Sequence, residues 1–253
     1  MKYVSFITVR TSSSRLKEKC LLKINNYSMI EICILKCLEA KITPIVCTTT
    51  NKKDKILVNI AKKFRIKYFK GSEENKIKRW FDCAKKFQIK YFHTLDADDP
   101  FFDPKAIKKS LELLKFHDLI LPSTISRNGA ASEGYSFKFK SIKKLYKSLF
   151  DFKFKSINNL DTEMIDFFIK RLKIKKKVFF GMKYQLNKQI RLTLDYKKDY
   201  DLFKKIFKKF TVFAEREDIN NFLEKNYKIR NENIYLNKKW DKKQKSFERP
   251  KLK

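Results

Sequence analysis

Two patterns predict a three-layer α/β/α fold around a mostly parallel mixed sheet. Short apolar stretches alternate with helical ones through the first half of the chain, and small polar residues stand where the helical periodicity starts. Strands separated by helices of roughly 13–16 residues imply right-handed crossovers, which stack helices on both faces of one sheet. With 253 residues the chain is long enough to bury a full core of this kind.

Element by element, residues 3–9 (YVSFITV) read as a buried strand, 28–40 as a helix opened by Ser28, 43–48 as a strand and 52–64 as a helix. A short strand at 66–69 and a helix at 72–87 follow, with Ser72 at its head and Glu73 and Glu74 in the first turn, where the helix dipole favours acids. A strand at 90–95 completes the alternation. Ligands in such sheets bind at the carboxyl ends of the strands, so the turns after Val9, Thr48, Phe69 and Leu95 are expected to share one rim.

Beyond this, 118–121 reads as a strand and 122–134 as a polar loop. Residues 135–177 read as strand, helix, helix within an insertion at roughly 129–177, a substrate cap or dimer element too long for a simple crossover. Sheet character returns at 188–194, and helices are expected at 197–210 and 215–226. The expected organisation is one domain over residues 1–236 and a polar, basic, loose tail over 237–253.

Composition narrows the function classes. The formal charge is +33, yet lysine outnumbers arginine about five to one and is spread over nearly every segment, whereas phosphate and base recognition favours arginine forks. A basic nucleic-acid-binding protein therefore stays a weaker alternative, supported by charge and by aromatics interleaved with lysines near residues 146–154. No apolar run approaches the roughly 18 residues that cross a bilayer, and no secretory pattern opens the chain, so a cytoplasmic protein is expected. The five cysteines lack a CxxC spacing and four lie in apolar patterns, which reads as buried thiols in a reducing compartment. With two histidines, any metal is expected to be a hard cation held by carboxylates.

Three constellations carry chemistry. The first strand runs into a Ser/Thr-rich turn punctuated by Arg10, Arg15 and Lys19, cations and hydroxyls suited to the oxygens of a triphosphate. Asp96, Asp98 and Asp99 cluster after a strand and before Pro100; their repulsion needs a compensating cation and suggests Mg²⁺, while the same residues also suit a turn or helix cap. Asp195 ends the stretch Arg191-Leu192-Thr193-Leu194-Asp195, with Asp199 at the head of the next helix as a first-turn acid. If the strand of Asp195 lies beside the one ending at Asp96, two carboxylates distant in the chain meet and can share the metal.

These residues resemble the cytidylyltransferase family that activates acidic sugars, which includes CMP-ulosonic acid synthetases and the spore coat polysaccharide biosynthesis proteins. That family opens A-R-x-x-S-x-R-L-P-G-K-x-L; Arg10, Ser13, Arg15, Leu16, Lys19 and Leu21 match, with Lys17-Glu18 in place of Pro-Gly and Ser12 in place of a usual glycine. Its G-S-x-x-D-V-L-x-R is similar to residues 71–79, with Asn75 for the acid; its T-A/G-D-x-P falls on residues 96–100 and points to Asp98. G-x-x-x-E-V-F is similar to residues 129–135, R-x-T-x-D-x-x-x-D is met by Arg191, Thr193, Asp195 and Asp199, and of R-E-H-V-T-P only Glu163 survives.

The resemblance implies a nucleotide-diphospho-sugar transferase fold and transfer of CMP from CTP to a sugar or acidic-sugar acceptor, for surface polysaccharide or glycan synthesis. It also implies a homodimer. Arg10, Arg15 and Lys19 are the implied catalytic residues. Ser13, Ser14, Thr48, Gly71, Ser72, Arg79 and Asp98 join them around the nucleotide, Asp98 and Asp195 hold Mg²⁺, and Glu133, Glu163 and Arg191 face the acceptor. A glycosyltransferase of the related nucleotide-sugar fold is the alternative within enzymes.

Overall fold

The computed structural model describes residues 2–123, 134–151, 160–163, 165–186 and 190–245. Its centre is strand β1 (Val4–Thr8), buried along its whole length between β4 (Thr43–Thr49) and β6 (Tyr91–Asp96), both parallel to it. Strands buried on both faces need apolar residues at every position, which is why these segments read as near-continuous hydrophobic runs. β5 (Lys67–Gly71) adds to β4 in parallel.

On the other side of β6, β7 (Leu119–Pro122) and β8 (Ser136–Lys138) enter the sheet with β8 antiparallel to both β6 and β7. β9 (Lys176–Phe179) runs parallel to β7, and the order across the sheet is β5-β4-β1-β6-β8-β7-β9. A two-residue ribbon, β2 (Lys23–Ile24) with β3 (Tyr27–Ser28), stands apart from the sheet.

Helices begin where their caps are. Glu31 accepts from the Ser28 amide and hydroxyl, both at 2.8 Å, to start α1 (Met29–Glu39). α2 (Lys55–Lys63) follows β4. α3 (Lys76–Lys86) is capped by Asn75, which accepts from the Lys78 amide at 2.8 Å, so the helix starts one turn later than Ser72 suggested. α4 (Pro104–Leu113), to which the sequence reading assigned no element, is capped by Asp103 with proline in its first turn. Behind the sheet and beyond it lie α5 (Phe139–Ser148), α6 (Ile165–Arg171), α7 (Lys197–Lys209), α8 (Arg216–Lys225), α9 (Tyr227–Arg230) and α10 (Leu236–Lys245).

The helices sandwich the sheet between two apolar layers. One layer joins α1, α2 and α4 through residues such as Ile30, Leu57 and Leu111; the other joins α3, α5 and α6 through Trp80, Ile142 and Phe168. Phe6, Phe92 and Phe137 stack along neighbouring strands, with centroids 4.2 and 5.5 Å apart. A third cluster, built by α7 and α8 on Phe101, packs at the end of the sheet.

Three expectations change. Residues 190–194 form no sheet strand: Ile190, Leu192 and Leu194 alternate into the third cluster, and the segment is pinned instead by the Leu194 amide donating to the Asp98 carbonyl at 2.9 Å. Their period of two comes from packing on α7 and α8 rather than from a ladder. Residues 134–151, expected within an insertion, supply β8 and α5 to the central sheet and core. Of the tail, 236–245 are helical and the Asn237 side chain is tied to Arg191 at 3.0 Å; residues 246–253 lie outside those described.

Candidate active site

The carboxyl ends of β1, β5 and β6 open into one cleft of about 650 Å³, lined by the loop over residues 10–20 and by Glu73, Lys76, Asp96, Asp98 and Glu163 among others. The loop after β1 is anchored by a buried carboxylate. Asp54 accepts from the Thr11 amide at 2.8 Å and hydroxyl at 2.7 Å, and from the Thr49 hydroxyl. Burial pushes the Asp54 carboxyl up, but the threonine hydrogen bonds outweigh it and hold it below the usual range. Further on, Glu18 takes the left-handed conformation (φ 50°, ψ 33°) at the head of the short turn Lys19–Leu21, the conformation a glycine adopts without cost.

That turn aims Lys19 at two carboxylates. Its ammonium donates to Asp98 Oδ2 and, at 2.9 Å, to Asp195 Oδ1. Arg15 donates to the same Asp195 oxygen through Nε at 3.0 Å and a terminal nitrogen at 2.6 Å, and Arg191 reaches Asp195 Oδ2 at 3.3 Å. Burial pushes the Asp195 carboxyl up, but Lys19 and Arg15 outweigh it and hold it at about 2. Lys19 is raised above the ordinary lysine value by Asp98 and Asp195 against the opposing effect of burial. Behind them Asp199 accepts from the Asp195 and Tyr196 amides, both at 2.9 Å, and pairs with Arg191 at 2.9 and 3.1 Å. Three cations and three carboxylates are thus interlocked, with Arg15, Lys19 and Asp98 lining the cleft and Asp195, Arg191 and Asp199 buried behind them.

A second network also lines the cleft, in which the sequence pointed to Arg10, Asp96 and Glu163 but not to Lys76. Lys76 lies between Glu163 Oε1 at 3.1 Å and Asp96 Oδ1 at 3.7 Å, and Arg10 approaches Glu163 at 3.9 Å. Lys76, with help from Arg10, holds the half-exposed Glu163 carboxyl down to about 2. Thr162 docks the Glu163 segment on the first turn of α3, accepting from the Ile77 amide at 3.2 Å. Lys76 stands one residue past the cap Asn75, at the end of the sheet rim; that position was its one signal. Burial and the neighbouring Asp98 push Asp99 well above the usual carboxylate range, and burial also raises Asp96.

Other expected residues fall elsewhere. Arg10, Ser13, Ser14, Arg15, Lys19, Arg79, Asp98 and Glu163 line the cleft, but Thr48, Gly71, Ser72, Arg191 and Asp195 do not, Asp195 being buried directly behind Arg15 and Lys19. Thr48 is fully buried within β4. Gly71 ends β5 under Arg79, where an added Cβ would meet the Phe69 ring at 2.7 Å and Arg79 Cγ at 3.0 Å. The Ser72 hydroxyl accepts from the Asn75 amide at 3.0 Å, which spends it on the helix start. Arg79 is buried and donates to the Ser72 and Glu73 carbonyls at 2.8 and 3.4 Å, bracing the loop from below. Arg191 is 2 % exposed and its guanidinium is taken up by Asp195, Asp199 and Asn237, so it faces its own network and not an acceptor. Glu133 lies outside the described residues.

Among the described residues no group of three or more His, Cys, Asp or Glu is arranged to hold a metal, and all five cysteines are free and buried. The all-oxygen pair Asp98 and Asp195 nonetheless fits Mg²⁺: both already share one cationic nitrogen, and Mg²⁺ is commonly bound by one or two carboxylates plus substrate phosphates. No described helix is long and apolar enough to cross a membrane.

A mostly parallel mixed sheet flanked by helices, with its cleft at the carboxyl rim, is the architecture of the nucleotidyltransferase-like α/β proteins. A family model described as cytidylyltransferase matches residues 4–237, and the chain belongs to that family. The uncharacterized protein MJ1063 of Methanocaldococcus jannaschii is 28% identical over 247 residues, covering 94% of this chain and 97% of its own. Among solved structures, a cytidylyltransferase from Leptospira borgpetersenii serovar Hardjo-bovis superposes with TM-score 0.77 at 21% identity, over 90% of this chain and 97% of the other. A CMP:2-keto-3-deoxy-manno-octonic acid synthetase complexed with CTP gives TM-score 0.61 at 14% identity, over 82% and 99%. Family membership supports nucleotidyl transfer from CTP.

Proposed function

We propose that the protein transfers CMP from CTP to a sugar or acidic-sugar acceptor in the synthesis of a surface polysaccharide or glycan, with Mg²⁺ as cofactor. The observation that carries the reading is the Lys19 ammonium between Asp98 and Asp195 at the mouth of β1 and β6. Arg10, Arg15 and Lys19 bind the β- and γ-phosphates, with Ser13 and Ser14 donating to phosphate oxygens. When bound by Asp98 and Asp195, Mg²⁺ neutralises charge on the phosphates.

An acceptor oxygen attacks the α-phosphorus; the bond from that phosphorus to the bridging oxygen breaks, and pyrophosphate leaves with the electron pair. The proton of an attacking hydroxyl passes to water. Glu163, held ionised by Lys76 and Arg10, is too weak a base to take it and serves instead as a hydrogen-bond acceptor for acceptor hydroxyls. Positioning and charge neutralisation carry the rate. A homodimer and a cytoplasmic setting belong to the same reading.

The test is pyrophosphate release with Mg²⁺ from CTP, ATP, GTP and UTP, each against a panel of neutral, acidic and phosphorylated sugars. Release with CTP and one acceptor is expected. Absence of both release and calorimetric CTP binding refutes the proposal.

A further inference from the structure

The turn over residues 96–103 presents Asp98, and its Asp98 carbonyl receives Leu194, the residue before Asp195. Both carboxylates therefore depend on one short stretch of backbone. Every carbonyl along it has a donor. The amides of Asp99, Leu194, Phe102 and Ile107 serve Asp96, Asp98, Asp99 and Asp103, and the Cys33 thiol lies 3.9 Å from the Ala97 carbonyl. Among the described residues, three consecutive carbonyls receive no backbone amide: those of Pro100, Phe101 and Phe102. Lys36, from the last turn of α1, donates to Pro100 and Phe102, both at 3.2 Å, and Arg216, from α8, donates to Phe101 at 2.6 Å.

Lys36 is an expensive way to hold a turn. It is 4 % exposed, and among the described residues it makes no ion pair; its ammonium rests on carbonyl dipoles and 5.0 Å from the centroid of the Phe102 ring. Burying an ammonium without a carboxylate costs several kcal/mol after relaxation, on the order of what a whole domain has in reserve. Its neighbours on α1, Cys33, Ile34 and Cys37, are buried hydrophobes, so an apolar side chain suits the same position in packing terms.

We propose that Lys36, together with Arg216, is a positioning residue that fixes the 96–103 turn, and through it Asp98 and Asp195, in the arrangement that accepts CTP with its divalent cation. This rests on the nucleotidyltransferase reading of the cleft. Burial lowers the Lys36 amine to about 8. Its charge is present below that pH and lost above it. The charged and titratable groups around it are Cys33 and Cys37 on α1, Arg216 on α8 and Asp103 at the head of α4. Burial pushes both thiols up, Cys37 to about 12 and Cys33 well above its ordinary value, so neither changes charge between pH 7 and 9.

The experiment is calorimetric CTP binding, with and without Mg²⁺, by the wild-type protein and by Lys36→Met, whose fold is verified by circular dichroism. Lys36→Met is expected to weaken CTP binding at least tenfold with Mg²⁺ and less than threefold without it, because the arginines and Lys19 still grip the phosphates. A folded variant with equal losses in both conditions, or with none, overturns the assignment. If Lys36→Met does not fold, the wild-type titration decides. The Mg²⁺-dependent part of the affinity must fall between pH 7 and 9.5 with a midpoint near 8, and a flat profile overturns it. Failure of the wild-type protein to bind CTP refutes the nucleotidyltransferase reading instead, a result distinct from normal binding with no response to Lys36.

Discussion

Replacing Asp195 by asparagine keeps the volume and removes the charge on which three cations converge. Arg15 and Lys19 contact one carboxylate oxygen at 2.6–3.0 Å and Arg191 the other at 3.3 Å, in a side chain 2 % exposed. Its folded value of about 2 against an ordinary aspartate near 3.9 corresponds to about 2.5 kcal/mol of stability at neutral pH. Leaving buried partners without their counter-charge costs about 3–5 kcal/mol. Asp195→Asn is therefore expected to lose about 2.5–5 kcal/mol in urea unfolding at pH 7.

The sign of the pH dependence follows from the lowered value. The stabilisation is full above the unfolded pKa near 4 and disappears as pH falls through 2, so the gap between wild type and variant narrows across that window. Asp201→Asn, which removes a partly exposed pair with Lys197 and Lys204, is the control and is expected to stay within about 0.5 kcal/mol. An Asp195→Asn variant within about 0.5 kcal/mol of wild type at pH 7, or a gap that stays constant down to pH 2.5, refutes the reasoning.

Lys19→Met removes the cation between the two carboxylates, and pyrophosphate release is expected to fall roughly a hundred- to thousandfold; a loss under tenfold counts against its role. Glu18→Gly relieves a left-handed residue whose penalty of about 1–2 kcal/mol exceeds the entropic cost of glycine of about 0.5–1 kcal/mol, so a small rise in thermal midpoint with unchanged CTP affinity is expected. A lower midpoint would show that the Glu18 side chain contributes more than its backbone costs. Gly71→Ala drives a methyl into Phe69 and Arg79 and is expected to cost about 1–3 kcal/mol by denaturant titration, with a looser Ser72–Glu73 turn seen as weaker CTP binding.

Most of the sheet was legible because its strands are buried on both faces and bounded by helix caps that are local in sequence, as at Ser28 and Glu31. The strand β9 was not: Lys176 and Lys177 make it look like solvated chain, and its place at the sheet edge is decided by pairing with β7, fifty-odd residues earlier. Residues 190–194 misled in the opposite sense, since alternation records which side chains are buried and is silent on whether the backbone has a strand beside it. In the cleft, Arg10, Arg15 and Lys19 could be read from one loop. Lys76, Asp54 and Lys36 could not, because each acts on a partner dozens of residues away and stands among ordinary lysines or in an ordinary turn. Arg191 and Ser72 show the reverse error: polar residues in a matching pattern whose hydrogen bonds are used up inside the fold.

The bond from Leu194 to the turn after β6 gives the cleft a place in time. Arg15 and Lys19 leave the ribosome early, but the carboxylate that orients both lies about 180 residues later, and its own supports, Asp199, Asn233 and Asn237, later still. A nascent chain folding from its amino end can complete β1, β4 and β6, with Thr11 already held by Asp54 and Lys19 facing Asp98, while Arg15 and Lys19 still lack Asp195. The charge network of the cleft is thus completed only with the last helices, and a chain that ends after β9 but before Asp195 keeps every strand of the sheet and lacks the carboxylate that Arg15 and Lys19 share.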